Sequence, residues 1–127
     1  MKLNPECIRD ILLLVEDITS LGTFLRIESE NIPETLNKYN FDEITYHIKQ
    51  CELSGLFSKV DWFLSGSCMI HYLSPAGHQF LSDIRSDNAW NKTKQIAGNI
   101  GANSIDTIKQ IATGVITALI QSQLGSL

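Results

Sequence analysis

The fold is decided by residues 41–85, whose sequence is FDEITYHIKQCELSGLFSKVDWFLSGSCMIHYLSPAGHQFLSDIR. Apolar residues recur along its first part at spacings i, i+3, i+7 and i+10, at Phe41, Ile44, Ile48 and Cys51. This spacing places them on one face of an α-helix. Asn40 is a suitable N-cap, and Gly55 is the residue type that most easily ends a helix. The pattern therefore predicts a helix that begins at Phe41 and ends before Gly55.

The rest of this stretch predicts a β-hairpin and then a second helix. An alternating, extended segment begins at Leu56, Ser65-Gly66-Ser67 has turn chemistry, and a second strand runs from Met69 to Tyr72. Ser74-Pro75 is an N-cap followed by proline at the first helical position. The buried face of the helix is expected at Phe80, Leu81 and Ile84. Helix, hairpin and helix in this order are typical of a winged helix-turn-helix core, with a recognition helix and a wing.

The segments before residue 41 supply the other parts of such a core. Asn4-Pro5-Glu6 predicts the start of a first helix, which Gly22 closes. Residues 23–29 alternate and predict a short edge strand that completes a three-stranded antiparallel sheet. Residues 31–39 are either a short helix with Leu36 and Tyr39 inward or a loop. We predict an α+β fold: a winged helix-turn-helix core of three helices and a small antiparallel sheet, over residues 1–86.

Residues 87–127 predict a C-terminal helical extension. Ser86-Asp87 can cap one helix, whose pattern Gly98 and Gly101 interrupt, and Asn103-Ser104 can cap a final helix over residues 105–123. The apolar arc of this final helix is broader than a helix on a small domain needs. It either packs on Trp90 and the first helix within one chain or forms a homodimer with its twofold mate. The predicted dimer interface comprises Ile108, Ala112, Val115 and Leu119.

Composition bounds the classes of function. The chain has 127 residues, ten basic and fourteen acidic side chains, and a net charge of −4, which is no electrostatic footprint for nucleic acid. Its three cysteines lack CxxC spacing, which favours buried, reduced thiols in a cytoplasmic protein. No signal peptide and no membrane span of about 20 apolar residues is visible, so we expect no membrane association.

Catalytic and metal-binding motifs are missing from the sequence. There is no GxSxG, phosphate loop or HExxH, and no paired carboxylates in a plausible cleft. His47 has no metal partner at i+4, and hydrogen bonding to a neighbouring backbone group is its simpler interpretation. Apolar surroundings of Cys7 and Cys51 would raise their thiol pKa values, against nucleophilic use. We therefore expect no enzyme, no cofactor and no metal.

The chain resembles the bacterial and phage family called domain of unknown function 2513. The resemblance rests on MKLNPECIRDILLLVE, ITYHIKQCELSGL, LSPAGHQFLSDIRSDNAWNKTK and SIDTIKQIA, and it covers nearly the whole chain. It implies a winged-helix fold and carries over no catalytic residues. Residues 73–77, LSPAG, are also similar to the LT-x-x-G junction between strand and helix in winged-helix transcription regulators, with Ser74 replacing the usual threonine. That second resemblance concerns a fold, which does not by itself fix a function.

The first functional hypothesis is a dimeric DNA-binding transcriptional regulator. The residues predicted to contact double-stranded DNA are Thr45, Tyr46, Lys49, Gln50, Lys59 and Arg85. The acidic residues Asp42, Glu43 and Glu52 lie on the same helix and would repel phosphates.

The alternative is a winged helix that has become a protein-interaction module, such as a mobile-element protein that binds a host protein, for example a defence nuclease. Its predicted partner-binding residues are Trp62 and Phe63, because an exposed aromatic residue on the wing would anchor a protein contact. A continuous positive face would favour DNA, whereas a negative or apolar face would favour a protein partner.

Overall fold

The computed structural model describes residues 1–126 and has a mixed α+β fold. These residues form five α-helices and one three-stranded antiparallel sheet. The chain divides into two compact units, the first comprising Met1–His78 and the second beginning at Gln79.

The N-terminal part of the first unit forms as its local signals predict. Helix α1 spans Pro5–Ile18, and the side chain of Asn4 accepts a hydrogen bond from the backbone N–H of Glu6 at 3.1 Å. Strand β1 spans Leu25–Ile27. In the segment whose structure the sequence left open, a single 3₁₀ turn covers Glu34–Leu36, and both Leu36 and Tyr39 are buried. Of the two alternatives, the short helix with Leu36 and Tyr39 inward is therefore confirmed, and it is a 3₁₀ helix of three residues.

Helix α2 spans Phe41–Leu53 and confirms the predicted pattern. The Asn40 side chain accepts a hydrogen bond from Glu43 N–H at 2.8 Å. Gly55 ends the segment with φ of 75°, a backbone conformation that side-chain-bearing residues rarely adopt. The buried face consists of Ile44, His47, Ile48 and Cys51.

The sheet is shorter than the sequence predicts. Strand β2 spans Val60–Trp62 and strand β3 spans Cys68–Ile70, and the strand order is β1-β3-β2. Val60 and Leu25 both pair with Ile70 from opposite sides. The regular strand begins at Val60 rather than at Leu56, and between them Phe57 forms an isolated antiparallel bridge with Leu73. In this bridge the Leu56 carbonyl accepts a hydrogen bond from Ser74 N–H at 3.0 Å, so the hairpin pairing continues to the start of the next helix.

Helix α3 spans Pro75–Ile84 and begins at the predicted cap. Ser74 Oγ accepts a hydrogen bond from Gly77 N–H at 3.0 Å and donates one to the Gly55 carbonyl at 2.6 Å. The predicted face is confirmed, since the buried residues of the helix include Phe80, Leu81 and Ile84.

The second unit contains two long helices that pack against each other. Helix α4 spans Asp87–Ile100 with Ser86 as its N-cap, and helix α5 spans Ile105–Gly125 with Ser104 as its N-cap. The predicted interruption at Gly98 is wrong, because α4 continues through it. The helix ends at Gly101, whose φ is 70°.

Candidate functional site

The β2–β3 hairpin lies beside α2 and is hydrogen-bonded to its last turn. Trp62 Nε1 donates a hydrogen bond to Glu52 Oε1 at 3.1 Å in the last turn of the helix. At the other end of the helix, Phe41 Cε1 lies 3.9 Å from the position that a side-chain carbon on Gly66 would occupy. The hairpin is therefore held at the last turn of α2, and its turn lies near the first turn of that helix.

The hairpin engages the main basic residue of the predicted DNA-binding helix. Lys49 Nζ lies 2.8 Å from Glu52 Oε1 and 5.2 Å from the centre of the Trp62 ring. Such an exposed ion pair contributes little to stability, and a cation over an aromatic face adds a modest attraction. Lys49 would nevertheless have to leave both partners before it could bind a phosphate.

The other predicted DNA contacts on α2 are partly occupied as well. Thr45 Oγ1 donates a hydrogen bond to the Phe41 carbonyl at 2.9 Å, so its hydroxyl is used within the helix. Tyr46 is half-buried with its ring edge-on to His47, and Gln50 is half-buried. Only part of this helix face is therefore free to contact a ligand.

The net charge of the first unit also disfavours binding to nucleic acid. Lys59 Nζ lies 3.5 Å from Asp61 Oδ1, and Arg85 belongs to the second unit. Residues 1–78 contain six Lys and Arg and eleven Asp and Glu. Their formal charge is therefore −5, which is more negative than the −4 of the whole chain. Affinity for DNA depends on neutralising several phosphates, which an acidic surface does not do.

The hairpin ends in an exposed apolar turn, residues 63–66, which we call the hairpin tip. Leu64 is fully exposed and Phe63 is 41% exposed. The turn is closed by hydrogen bonds from Phe63 N–H to the Ser67 carbonyl at 3.0 Å and from Gly66 N–H to the Phe63 carbonyl at 2.9 Å. The Arg26 guanidinium lies 5.3 Å from the centre of the Phe63 ring. Two large apolar side chains thus project from a turn that is held by the backbone.

The two aromatic residues predicted to bind a partner have different surroundings. Trp62 is half-buried and contacts α2 through its ring nitrogen, whereas Phe63 is exposed. Sequence reasoning missed Leu64, the more exposed of the two tip residues. The signal that could have identified it is a leucine placed directly before turn chemistry, where no sheet face can cover it.

A histidine–aspartate pair crosses from β2 to the end of β3. His71 Nε2 lies 2.7 Å from Asp61 Oδ2, and the His71 ring stacks on Phe24 with ring centres 4.0 Å apart. The hydrogen bond with His71 lowers the pKa of the Asp61 carboxyl below its usual value. The pair adds a side-chain link beside the backbone hydrogen bond from His71 N–H to the Lys59 carbonyl at 3.0 Å.

The other titratable residues considered as ligands or nucleophiles, His47 and the three cysteines, are buried inside the fold. His47 is fully buried, with Asn4 N–H donating to its Nε2 at 2.8 Å and its Nδ1 lying 2.7 Å from the Glu43 carbonyl. The predicted hydrogen bonding to backbone groups is confirmed, and neither ring nitrogen is left for a ligand. The three cysteines are free and buried, and burial raises the pKa of the Cys7 and Cys68 thiols to about 12.

Most of the residues predicted for a dimer interface are covered within one chain. Ile108, Ala112 and Val115 are buried in the single chain, and only Leu119 is half-exposed. A dimer formed through α5 would have to use other residues of that helix.

Residues 1–126 were also compared with what a metal site and a membrane-spanning helix require. Within this range, no cluster of three or more His, Cys, Asp or Glu side chains is arranged to hold a metal ion. None of the helices described there combines the length and apolar character needed to cross a bilayer.

Comparison with known proteins places this α+β chain in a family. The chain belongs to the family described as "Hypothetical protein (DUF2513)", whose model matches residues 2–103, and the resemblance noted from its motifs is confirmed. It is similar to an "Uncharacterized protein" of Haemophilus influenzae, with 28% identity over 123 residues that cover 94% of this chain and 99% of the relative. No solved structure matches it.

Proposed function

We propose that the chain is a non-enzymatic binding protein with a winged-helix core, and that it binds a protein partner through its hairpin tip. The observation that carries the proposal is the exposed pair Phe63 and Leu64 on a closed, supported turn. Large apolar side chains in a fixed position are the usual anchors of protein interfaces, because burying them in a partner removes apolar surface from water without ordering a loose loop.

The winged-helix interpretation is supported by the order and pairing of the elements. A three-stranded antiparallel sheet of order β1-β3-β2 accompanies α2, and its last two strands form a hairpin that precedes α3. In this interpretation α2 is the recognition helix and the hairpin is the wing. The wing lies against the helix and presents an apolar end, which suits a protein surface.

A DNA-binding regulator is the second candidate, favoured by the exposure of Lys49 at the centre of α2. Its side chain is 49% exposed, and rotation away from Glu52 would free its charge at little cost. The acidic balance of residues 1–78 weighs against this candidate, so we rank it below a protein partner.

A pull-down experiment distinguishes the two candidates. The chain is immobilised and incubated with a lysate of the cells that produce it. We expect the wild-type chain to retain a defined protein and the double variant Phe63→Ser, Leu64→Ser to lose it. Leu21→Ser is the matched control, because Leu21 is an 84% exposed leucine of the same unit that lies outside the hairpin. Equal retention by all three proteins would remove the hairpin tip from consideration.

A parallel measurement addresses DNA directly. The purified chain is incubated with a pool of random and genomic duplexes at low and at near-physiological salt. Retention of a defined sequence at the higher salt, lost in Lys49→Glu, would establish the second candidate. Binding that disappears as salt rises would be non-specific and would leave the protein partner as the better proposal.

A further inference from the structure

An open groove runs between α4 and α5 in the second unit. Its volume is about 720 Å³, and the walls are formed by side chains that include Ile96, Ile111 and Leu119. Gly114 and Ala118 lie along the α5 side, where both are exposed. Lys92 is the one charged residue among those that line this groove. The groove is therefore mainly apolar, with Gln95, Asn99 and Ser122 as its uncharged polar residues, and on one side it allows close approach to a helix backbone.

Helix α5 is longer than the helix it packs against. It has 21 residues and α4 has 14, which correspond to lengths of ~32 Å and ~21 Å at 1.5 Å per residue. Only residues 101–104 connect the two helices, so they run antiparallel from adjacent ends. The buried positions of α5 end at Val115, and no residue from 116 to 126 is buried. We call residues 116–126, the part of α5 that follows its last buried residue, the overhang.

The overhang and the groove have matching chemistry. Residues 110–126 contain no Asp, Glu, Lys or Arg, and they include Ile116, Leu119, Ile120 and Leu124. An occupant of the groove must be apolar and without charges that would need to be desolvated. It must also be narrow enough to lie between two helices, which a third helix is. The overhang of α5 meets each of these requirements.

We propose that the groove is filled by α5 of a second copy of this chain, so that each overhang lies in the groove of the other copy. The two α5 helices would run antiparallel, with Ala118 near the twofold axis. Each α4 would then cover the first half of its own α5 and the second half of its partner's α5. A twofold arrangement uses the same patch twice, which requires a surface that complements itself.

The residues at the crossing suit this arrangement. Gly114, Ala118 and Ser122 are spaced by four, so they share one face of α5. Small side chains on that face let two helices approach at the short end of the usual separation of about 8–10 Å. This interface uses the face beside the buried stripe that contains Ile108 and Ala112. It therefore leaves the packing of α5 on α4 intact.

The oligomeric state in solution tests the proposal. Light scattering on the eluted wild-type peak should give the mass of two chains, and Ala118→Arg should halve it, because a charged side chain would enter the twofold crossing. Thr113→Arg is the matched control, since Thr113 is exposed on the opposite face of the same helix. A wild-type monomer at high concentration, or an Ala118→Arg dimer, would overturn the proposal.

Disulfide cross-linking of a cysteine variant provides a second test if Ala118→Arg does not fold. Under mild oxidation, Ala118→Cys should form a disulfide-linked dimer, because the two residues would lie close together across the axis. The three natural cysteines are buried and should not compete. Thr113→Cys should remain a single chain. Equal cross-linking of both variants, or none in Ala118→Cys, would contradict the proposed interface.

Discussion

Replacing Gly77 by alanine should destabilise the protein, although alanine is normally the better residue in a helix. Gly77 lies in the first turn of α3, against the chain that leaves α2. A carbon added at this position would lie 2.1 Å from the Leu56 carbonyl oxygen and 3.0 Å from its carbon, whereas ordinary contact begins at 3.4 Å. The obstacle is backbone, so rotation of a side chain cannot relieve it.

The magnitude follows from three contributions. Alanine gains about 1 kcal/mol over glycine from helix propensity. Forcing one additional carbon into a packed site costs about 1–3 kcal/mol. More than 1 Å of separation is missing, so the junction must also stretch the bonds from Ser74 to the Leu56 and Gly55 carbonyls, each worth about 1 kcal/mol. We expect a net loss of about 2–4 kcal/mol in the free energy of unfolding.

Urea unfolding followed by far-ultraviolet circular dichroism measures this loss. With a slope of about 2 kcal/mol per molar urea, the middle of the usual range, the midpoint should fall by about 1–2 M. Gly98→Ala is the matched control, because Gly98 lies within α4 and the added carbon would meet no atom within 4 Å beyond its chain neighbours and the backbone of its own helix. That variant should gain up to about 1 kcal/mol.

A Gly77→Ala variant as stable as the wild-type chain would refute the requirement for a close approach at this position. Such a result would mean that α3 can shift away from Leu56 without loss of its anchoring hydrogen bonds. A loss of stability in both variants would also count against it, because then glycine itself, rather than the close approach, would be the requirement.

Three further predictions concern the buried and titratable groups. His47→Ala should cost about 2–4 kcal/mol in chemical unfolding, because it leaves a cavity and an unpaired Asn4 N–H; a loss below 1 kcal/mol would argue against both hydrogen bonds. The pKa of Asp61 is lowered by its bond with His71, so the stability it contributes is present above its unfolded pKa of about 3.9 and is lost as pH falls through the lower folded value. The urea midpoint of Asp61→Asn should therefore fall less than that of the wild type between neutral pH and pH of about 3, and an equal fall would exclude this pair. The buried thiols have raised pKa values, so the native chain should react slowly with a disulfide reagent at mildly alkaline pH and release three equivalents after unfolding; one fast equivalent in the native state would contradict this.

The sequence predicted the parts of this protein that depend on neighbouring residues. The N-caps Asn4, Asn40, Ser86 and Ser104 all accept the expected backbone hydrogen bonds, and Gly55 adopts the expected positive φ. Each such interaction joins atoms two to four residues apart, so a short window of sequence contains all that it needs. Helix order and the buried face of α2 follow for the same reason, since periodicity is a local property.

Tertiary structure alone decided which of these surfaces stay available. The Leu56 carbonyl is occupied by the N–H of Ser74, 18 positions later, and Lys49 lies against the Trp62 ring because the hairpin packs on α2. Leu64 is exposed because none of residues 1–126 covers the end of the hairpin, whereas α5 uses the stripe with Ile108 to pack on α4. Periodicity states that a face is apolar but not what covers it, because the covering group comes from a distant part of the chain. The candidate site was therefore only partly readable from the sequence, since a binding surface consists of what packing leaves uncovered.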